Sequence, residues 1–203
     1  MISHKYKFIF VRIPKTASSS IISVLEKYDP DYIDGQHAEF GFYQTDFKKE
    51  WEDYFKFTFV RNPWSLRYSY YCYNKTTRGR AGRYARHLSF KDWVKRYLRK
   101  GSFGRPQMQM IGDVSNFDFI GRVENLQEDF NIVCDKIGIP HQDLPHENKT
   151  NCTRKFIKKY DRGRVNIEKN KANYIEHYDD ELKEIMARKY REDIETFEYR
   201  FGE

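Results

Sequence analysis

The segment Phe8-Ile-Phe-Val-Arg-Ile-Pro-Lys15-Thr-Ala-Ser-Ser-Ser20 passes from an apolar, β-branched and aromatic stretch straight into proline, lysine and a cluster of hydroxyls. Residues Tyr6 to Val11 have the composition of a buried strand. Ile21, Leu25 and Tyr28 then recur at i, i+4 and i+7, which predicts one apolar face of a helix. A strand-loop-helix corner turns backbone N–H groups and the positive end of the helix dipole toward whatever occupies the loop. Lys15 adds a full charge, and Thr16, Ser18, Ser19 and Ser20 add hydroxyl donors around Ala17. This is chemistry suited to a phosphate-like anion. The corner is not a Walker loop, because no glycine occurs between Met1 and Asp34. Serines at a helix start also serve as plain caps, so the segment alone leaves both uses open.

The same design recurs in Phe55-Lys-Phe-Thr-Phe-Val-Arg61-Asn62-Pro63-Trp-Ser-Leu-Arg67-Tyr-Ser69. A second strand, Phe55 to Val60, runs into Arg61. Asn62 suits an N-cap, and Pro63 suits the first helical position, where its missing N–H costs nothing. Arg61 then sits at the carboxyl end of a strand, with Ser69 about two turns into the helix. Ligands of open α/β sheets bind at that edge. Taken singly, Arg61 could equally be an ion-pair residue and Ser69 a small packing residue.

Together the two motifs resemble the nucleotide-binding elements of sulfotransferases that use 3'-phosphoadenosine 5'-phosphosulfate (PAPS). Arg12-Ile-Pro-Lys-Thr-Ala-Ser-Ser-Ser20 is similar to the family's 5'-phosphosulfate loop, and Arg61 to Ser69 fits its 3'-phosphate element, R-x-P-x-x-R-x-x-S. The likeness extends through Phe119 to Phe130 and Asn148 to Thr150, and is nearest to the Golgi carbohydrate branch of heparan 2-O- and chondroitin-type enzymes. Where members have Gly-Ser-Thr or Ala-Ser-Thr-Ser after Lys-Thr, this chain keeps hydroxyls, as Ala17-Ser18-Ser19-Ser20. The resemblance implies an α/β fold, a single domain over residues 1–203 with a central, mainly parallel sheet flanked by helices and a P-loop-like nucleotide-binding core. It implies PAPS as donor and PAP as product, held by Lys15, Thr16, Ala17, Ser18, Ser19, Ser20, Arg61 and Ser69, with no metal. Lys15 is the expected stabiliser of the departing phosphate. His37, which follows an expected short strand at Tyr32 to Ile33 and lies about twenty residues before the second strand, matches a histidine of the carbohydrate branch and is the expected general base. Glu39 is the alternative base. Arg12 is a candidate contact to sulfate or acceptor, or else the partner of a carboxylate in the sheet. Arg67 reads as an orienting residue, and Glu124 and Asn125 as braces of the fold.

Composition bounds these readings. Hydrophobic residues make up 39% and charged ones 33%, so the 17% of aromatic residues must supply much of the burial. No window approaches twenty apolar residues, and no signal peptide precedes the first strand. Animal members of the branch are Golgi-anchored, but a start at Met1 so close to the first strand leads us to expect a soluble, cytoplasmic protein. Cys72, Cys134 and Cys152 have neither disulfide-framework nor metal spacing. Sequons at Asn74, Asn148 and Asn151 read as chance occurrences without a secretory signal.

Farther along, Ser89 to Asp92 resembles a capping box ahead of an apolar stripe, Phe90, Trp93, Val94, Tyr97 and Leu98. Phe117 to Gly121 is an expected third strand, followed by a helix through Leu126, Phe130, Val133 and Ile137 that stops at Gly138. Asn170 to Arg191 reads as helical. Lys75 to Arg105 holds eleven Lys and Arg against one acid, Asp92, within a net charge of +7. Beside a nucleotide site such a field favours an anionic glycan acceptor. Arg80, Arg83 and Arg86 lie in the glycine-flanked Arg78 to Arg86 stretch, which reads as a mobile loop, and Lys91, Lys95 and Arg99 share a helix face expected to meet solvent or polymer. Two other classes compete: a basic nucleic-acid-binding protein, consistent with a pI of 9.1, and a nucleotide-binding relative without catalysis. A kinase-like P-loop phosphotransferase is disfavoured by the missing glycines and the lack of an acidic Mg²⁺-binding signal.

Overall fold

A computed structural model describes residues 1–35, 39–99, 104–145 and 174–203. His37, Cys152, His146, the Asn148 to Thr150 element and the start of the 170–191 region lie outside these residues. The chain forms two compact units, each assembled from separated segments: Met1–Arg61 with Arg105–Asn148, and Asn62–Gly104 with Lys149–Glu203.

The first unit is built on a four-stranded sheet. Strands β1 (Ile2–Ser3), β2 (Phe8–Val11), β3 (Phe55–Val60) and β4 (Phe119–Arg122) lie side by side in that order. β2, β3 and β4 are parallel, and β1 adds an antiparallel edge. All four residues of β2 are buried, as expected for a strand covered on both faces. Alternation sorts them. Phe8 and Phe10 join Phe57 and Phe59 against helices α1 (Ser18–Tyr28) and α8 (Leu126–Ile137), through Ile21, Leu25, Phe130 and Val133. Ile9 and Val11 face the other way, toward Tyr43 and Trp51, which lie on α2 (Phe40–Asp46) and α3 (Lys48–Asp53). Phe10 and Phe57 stack at 4.7 Å, so aromatic rings provide the packing that aliphatic residues supply in other α/β cores. A short α7 (Met108–Ile111) precedes β4.

Sequence and structure coincide at β3 and at α8, which ends at the left-handed Gly138. Three boundaries shift. β2 starts at Phe8, because Tyr6 and Lys7 form a turn with Lys7 at φ 52°. β4 starts at Phe119 rather than Phe117. The expected Tyr32–Ile33 strand is one antiparallel bridge, Ile2 to Ile33. The edge strand β1 had no signal, being two residues long.

The second unit is helical. α4 (Pro63–Thr76), α5 (Gly79–His87) and α6 (Phe90–Arg99) are joined by α9 (Asp180–Lys189) and α10 (Arg191–Thr196). Tyr71, Phe90, Trp93 and Tyr178 form its aromatic centre. Ser89 takes the Asp92 N–H at 3.1 Å and donates its hydroxyl to the Asp92 carboxylate at 2.6 Å, a variant of the expected capping box. Asn170 to Arg191 is not one helix: Tyr174–His177 is a 3₁₀ turn, and Asp179 starts α9 afresh by accepting from the Leu182 N–H.

Two expectations for the basic segment are corrected here. The Arg78 to Arg86 stretch is α5, not a mobile loop. Gly82 there is required by proximity, since a Cβ would stand 1.9 Å from the Thr77 carbonyl oxygen. Lys91 and Lys95 do not present an open cationic face either. Lys91 binds Asp179 and Glu181 at 2.5 and 2.6 Å, and Lys95 binds Glu181 at 2.6 Å. Those carboxylates oppose the self-repulsion that the sequence pattern implied, and their hydrogen bonds raise the Lys91 pKa. Among the described residues no helix is long and apolar enough to cross a membrane.

Candidate functional site

β2 delivers Arg12 to the carboxyl edge of the sheet, and the chain turns through Ile13 to Ala17 into α1. The turn is made without glycine. Lys15 at φ 71° and Ala17 at φ 60° both adopt the left-handed conformation, which costs an L-residue on the order of 1–3 kcal/mol. Thr16, fully buried, donates its hydroxyl to the Ile13 carbonyl at 2.8 Å and ties the turn to itself. Ala17 is the N-cap of α1 and supplies no side-chain acceptor. Ser20 and Ile21 donate their N–H groups to the Ala17 carbonyl. The N–H groups of Ser18 and Ser19, earlier in the first turn, have no intrahelical partner. Alternating backbone conformations that converge N–H groups make an anion-binding concavity, and no acid lies in the first turn of α1 to compete for it. Ser18 and Ser20 are buried, and Ser19 is exposed.

β3 brings Arg61 to the same edge. Its Nη1 donates to the Lys15 carbonyl at 3.3 Å, so the structure brings Lys15 and Arg61 together. Gln107 holds the Arg61 backbone by both groups: Arg61 N–H donates to Oε1 at 2.9 Å, and Nε2 donates to the Arg61 carbonyl at 2.8 Å. Gln107 is only 1% exposed. It extends the sheet's pairing one residue past the last strand hydrogen bond and sets where the guanidinium begins. Sequence reading missed it, because a lone glutamine forty-six residues from its partner carries no local signal.

Other candidates have different neighbours. Arg12, 8% exposed, pairs with Asp34. Glu39, the alternative base, pairs with Arg105. In the second unit, Asn62 caps α4 by accepting from Trp64 N–H at 3.1 Å, with Pro63 at the first helical position as expected. Ser69 is half-buried on that helix. Arg67 is buried between the rings of Tyr70 and Tyr190, 4.9 and 4.7 Å from their centroids, and burial raises the pKa of both phenols. Arg80 and Arg83 are exposed on α5, whereas Arg86 turns back to the Lys75 and Thr77 carbonyls at 3.2 and 2.9 Å. The described residues contain no group of three or more potential metal ligands.

A strained, hydroxyl-rich turn with free N–H groups, a lysine and a sheet-edge arginine is equipped to hold a polyanion. Comparison with known proteins gives the same direction. A sequence model of the sulfotransferase family matches residues 1–200. An uncharacterised protein of Archaeoglobus fulgidus is 36% identical over 101 residues, which cover 47% of this chain and 77% of that protein. No solved structure matches the chain.

Proposed function

The chain belongs to the sulfotransferase family, and from that premise we propose that it transfers a sulfuryl group from PAPS to a hydroxyl of a carbohydrate acceptor. The observation that carries the donor assignment is the Lys15–Ala17 turn, whose left-handed residues and uncapped helix start fit a 5'-phosphosulfate. Thr16 to Ser20 would offer backbone and hydroxyl donors to it. Arg61, held by Gln107 and bonded to the Lys15 carbonyl, would meet the 3'-phosphate. The donor supplies an activated sulfur joined to a good leaving phosphate. Lys15 would stabilise the charge that builds on the phosphate oxygen as its bond to sulfur breaks, an effect of about a hundredfold to a thousandfold. His37 would take the acceptor's proton as the new oxygen–sulfur bond forms. Glu39 serves less well as that base, because Arg105 already engages its carboxylate.

An anionic glycan is the acceptor we favour. Its support is narrower than the eleven-cation segment first suggests, since Lys91, Lys95 and Arg86 have partners within the protein. Arg80 and Arg83 remain exposed on one helix and are the residues we assign to it. The test is sulfate transfer from PAPS to acidic and neutral glycans across a salt series. Acidic glycans should be preferred, with a preference that falls as salt screens exposed charge. His37→Ala should keep PAP affinity and lose about a hundredfold to ten-thousandfold in transfer. A salt-insensitive preference for neutral acceptors removes the anionic-glycan assignment, and an active His37→Ala beside an inactive Glu39→Gln moves the base to Glu39.

A further inference from the structure

We propose that Arg12 is a positioning residue, whose ion pair with Asp34 holds residues 33–35, two positions before His37 in the sequence, in register with the Lys15 turn. The inference rests on the sulfotransferase reading above for its consequence, though not for its geometry. Arg12 directly follows the last residue of β2, so its backbone is fixed by the sheet and its side chain is almost wholly buried. A guanidinium in that setting needs a carboxylate, because an unpaired buried charge is strongly destabilising. Asp34 is that carboxylate.

The residues beside Asp34 are fixed as well, each by a different contact. Ile33 exchanges both backbone hydrogen bonds with Ile2, at 2.9 and 3.0 Å. Gly35 packs so closely on Tyr43 that a Cβ would stand 2.4 Å from its hydroxyl oxygen. Tyr43 is fully buried, and its hydroxyl accepts from the Met1 amine at 3.0 Å. Burial pushes that amine down to about 5, with Arg12 the second cause. Arg12 and Asp34 are charged side chains of this cluster and pair with each other. Three consecutive residues are thus anchored immediately before 36–38. On the far side Glu39 is held by Arg105, itself two residues before the Gln107 that clamps Arg61. The Arg105–Glu39 pair has both partners exposed and is worth little by itself, so the Arg12–Asp34 pair, whose guanidinium is buried though its carboxylate reaches solvent, is the principal anchor.

This assigns Arg12 a different use from direct contact with sulfate. Arg12 Nε is buried without a hydrogen-bond partner, so a ligand contact is the rival that the experiment must separate. The full chain is compared as wild type, Arg12→Lys, Arg12→Ala, Asp34→Asn and the double variant Arg12→Ala/Asp34→Asn. Thermal unfolding establishes that each is folded, and three quantities are read: PAP affinity by calorimetry, kcat for transfer, and amide hydrogen exchange of residues 33–39. A positioning pair gives faster exchange in both Arg12→Ala and Asp34→Asn. It gives a kcat lower by roughly tenfold to a hundredfold with PAP affinity unchanged, and a double variant no worse than the worse single. Arg12→Lys should recover part of the loss. The proposal is overturned if Arg12→Ala weakens PAP binding while Asp34→Asn is silent, or if exchange is unaltered in Asp34→Asn. Failure of the parent reading appears separately, as wild-type protein that does not bind PAP, and the exchange measurement still decides the pair.

Discussion

The two strand-to-helix corners look alike in sequence and are solved differently in structure. At the first, β2 to α1, the N-cap is an alanine with φ 60° that offers no acceptor, and two non-glycine residues are left-handed. At the second, β3 to α4, Asn62 supplies a side-chain cap and Pro63 removes one N–H that would otherwise need a partner. The first corner therefore leaves backbone donors of its helix start without an intrahelical acceptor, whereas the second caps its own helix. Under the proposed reading, a glycine-free loop serves as a phosphate cradle because the rest of the structure holds its left-handed residues in place. Thr16 on the Ile13 carbonyl and Arg61 on the Lys15 carbonyl are the restraints visible here.

That contrast sets the order of effects expected from substitution. Lys15→Ala should be the most damaging, lowering transfer by about a hundredfold to a thousandfold and weakening PAP as well, because we propose that Lys15 serves both the ground state and the departing phosphate. An equal loss in binding and none in kcat would reduce it to a simple anion ligand. Arg61→Ala should weaken PAP by about 2–4 kcal/mol in calorimetry, since a charge-assisted partner is lost. Unchanged affinity would remove Arg61 from the 3'-phosphate assignment. Gln107→Ala should lower stability by about 1–3 kcal/mol in denaturant unfolding, because it leaves a backbone donor and acceptor of Arg61 unpaired at a buried edge. A fully stable variant would mean that the edge does not need the clamp. Ala17→Gly has the smallest effect and the opposite sign: relief of the left-handed strain, less the added chain entropy, should stabilise by up to about 1 kcal/mol. Destabilisation would show that the strain is already relieved in the native turn.

Local signals carried much of this architecture. The apolar run Phe55 to Val60 and the Asn62-Pro63 start of α4 appear where the sequence put them, because strand composition, capping and proline chemistry act over a few residues. The stop at Gly138 is of the same kind. What was not legible is tertiary. Arg12 with Asp34, Arg105 with Glu39 and Gln107 with Arg61 join residues far apart in the chain, and nothing in their neighbourhoods marks the partner. Lys91 and Lys95 read as a solvated face for the same reason, since Asp179 and Glu181 arrive from more than eighty residues away. Arg78 to Arg86 was misread through its glycines. They suggested flexibility, whereas Gly82 admits the close approach of α5 to the Thr77 carbonyl.

We propose that the Lys15–Ala17 turn and Arg61 hold a nucleotide bearing phosphates at both the 5' and 3' positions, without metal. Calorimetric titration of the full chain in EDTA with adenosine 3',5'-bisphosphate and, in parallel, with adenosine 5'-monophosphate tests it most directly. Saturable one-site binding of the bisphosphate is expected, with affinity for the monophosphate lower by roughly thirtyfold or more, the worth of one charge-assisted phosphate contact. Equal affinities, or binding of the bisphosphate only when a divalent metal is restored, would contradict it.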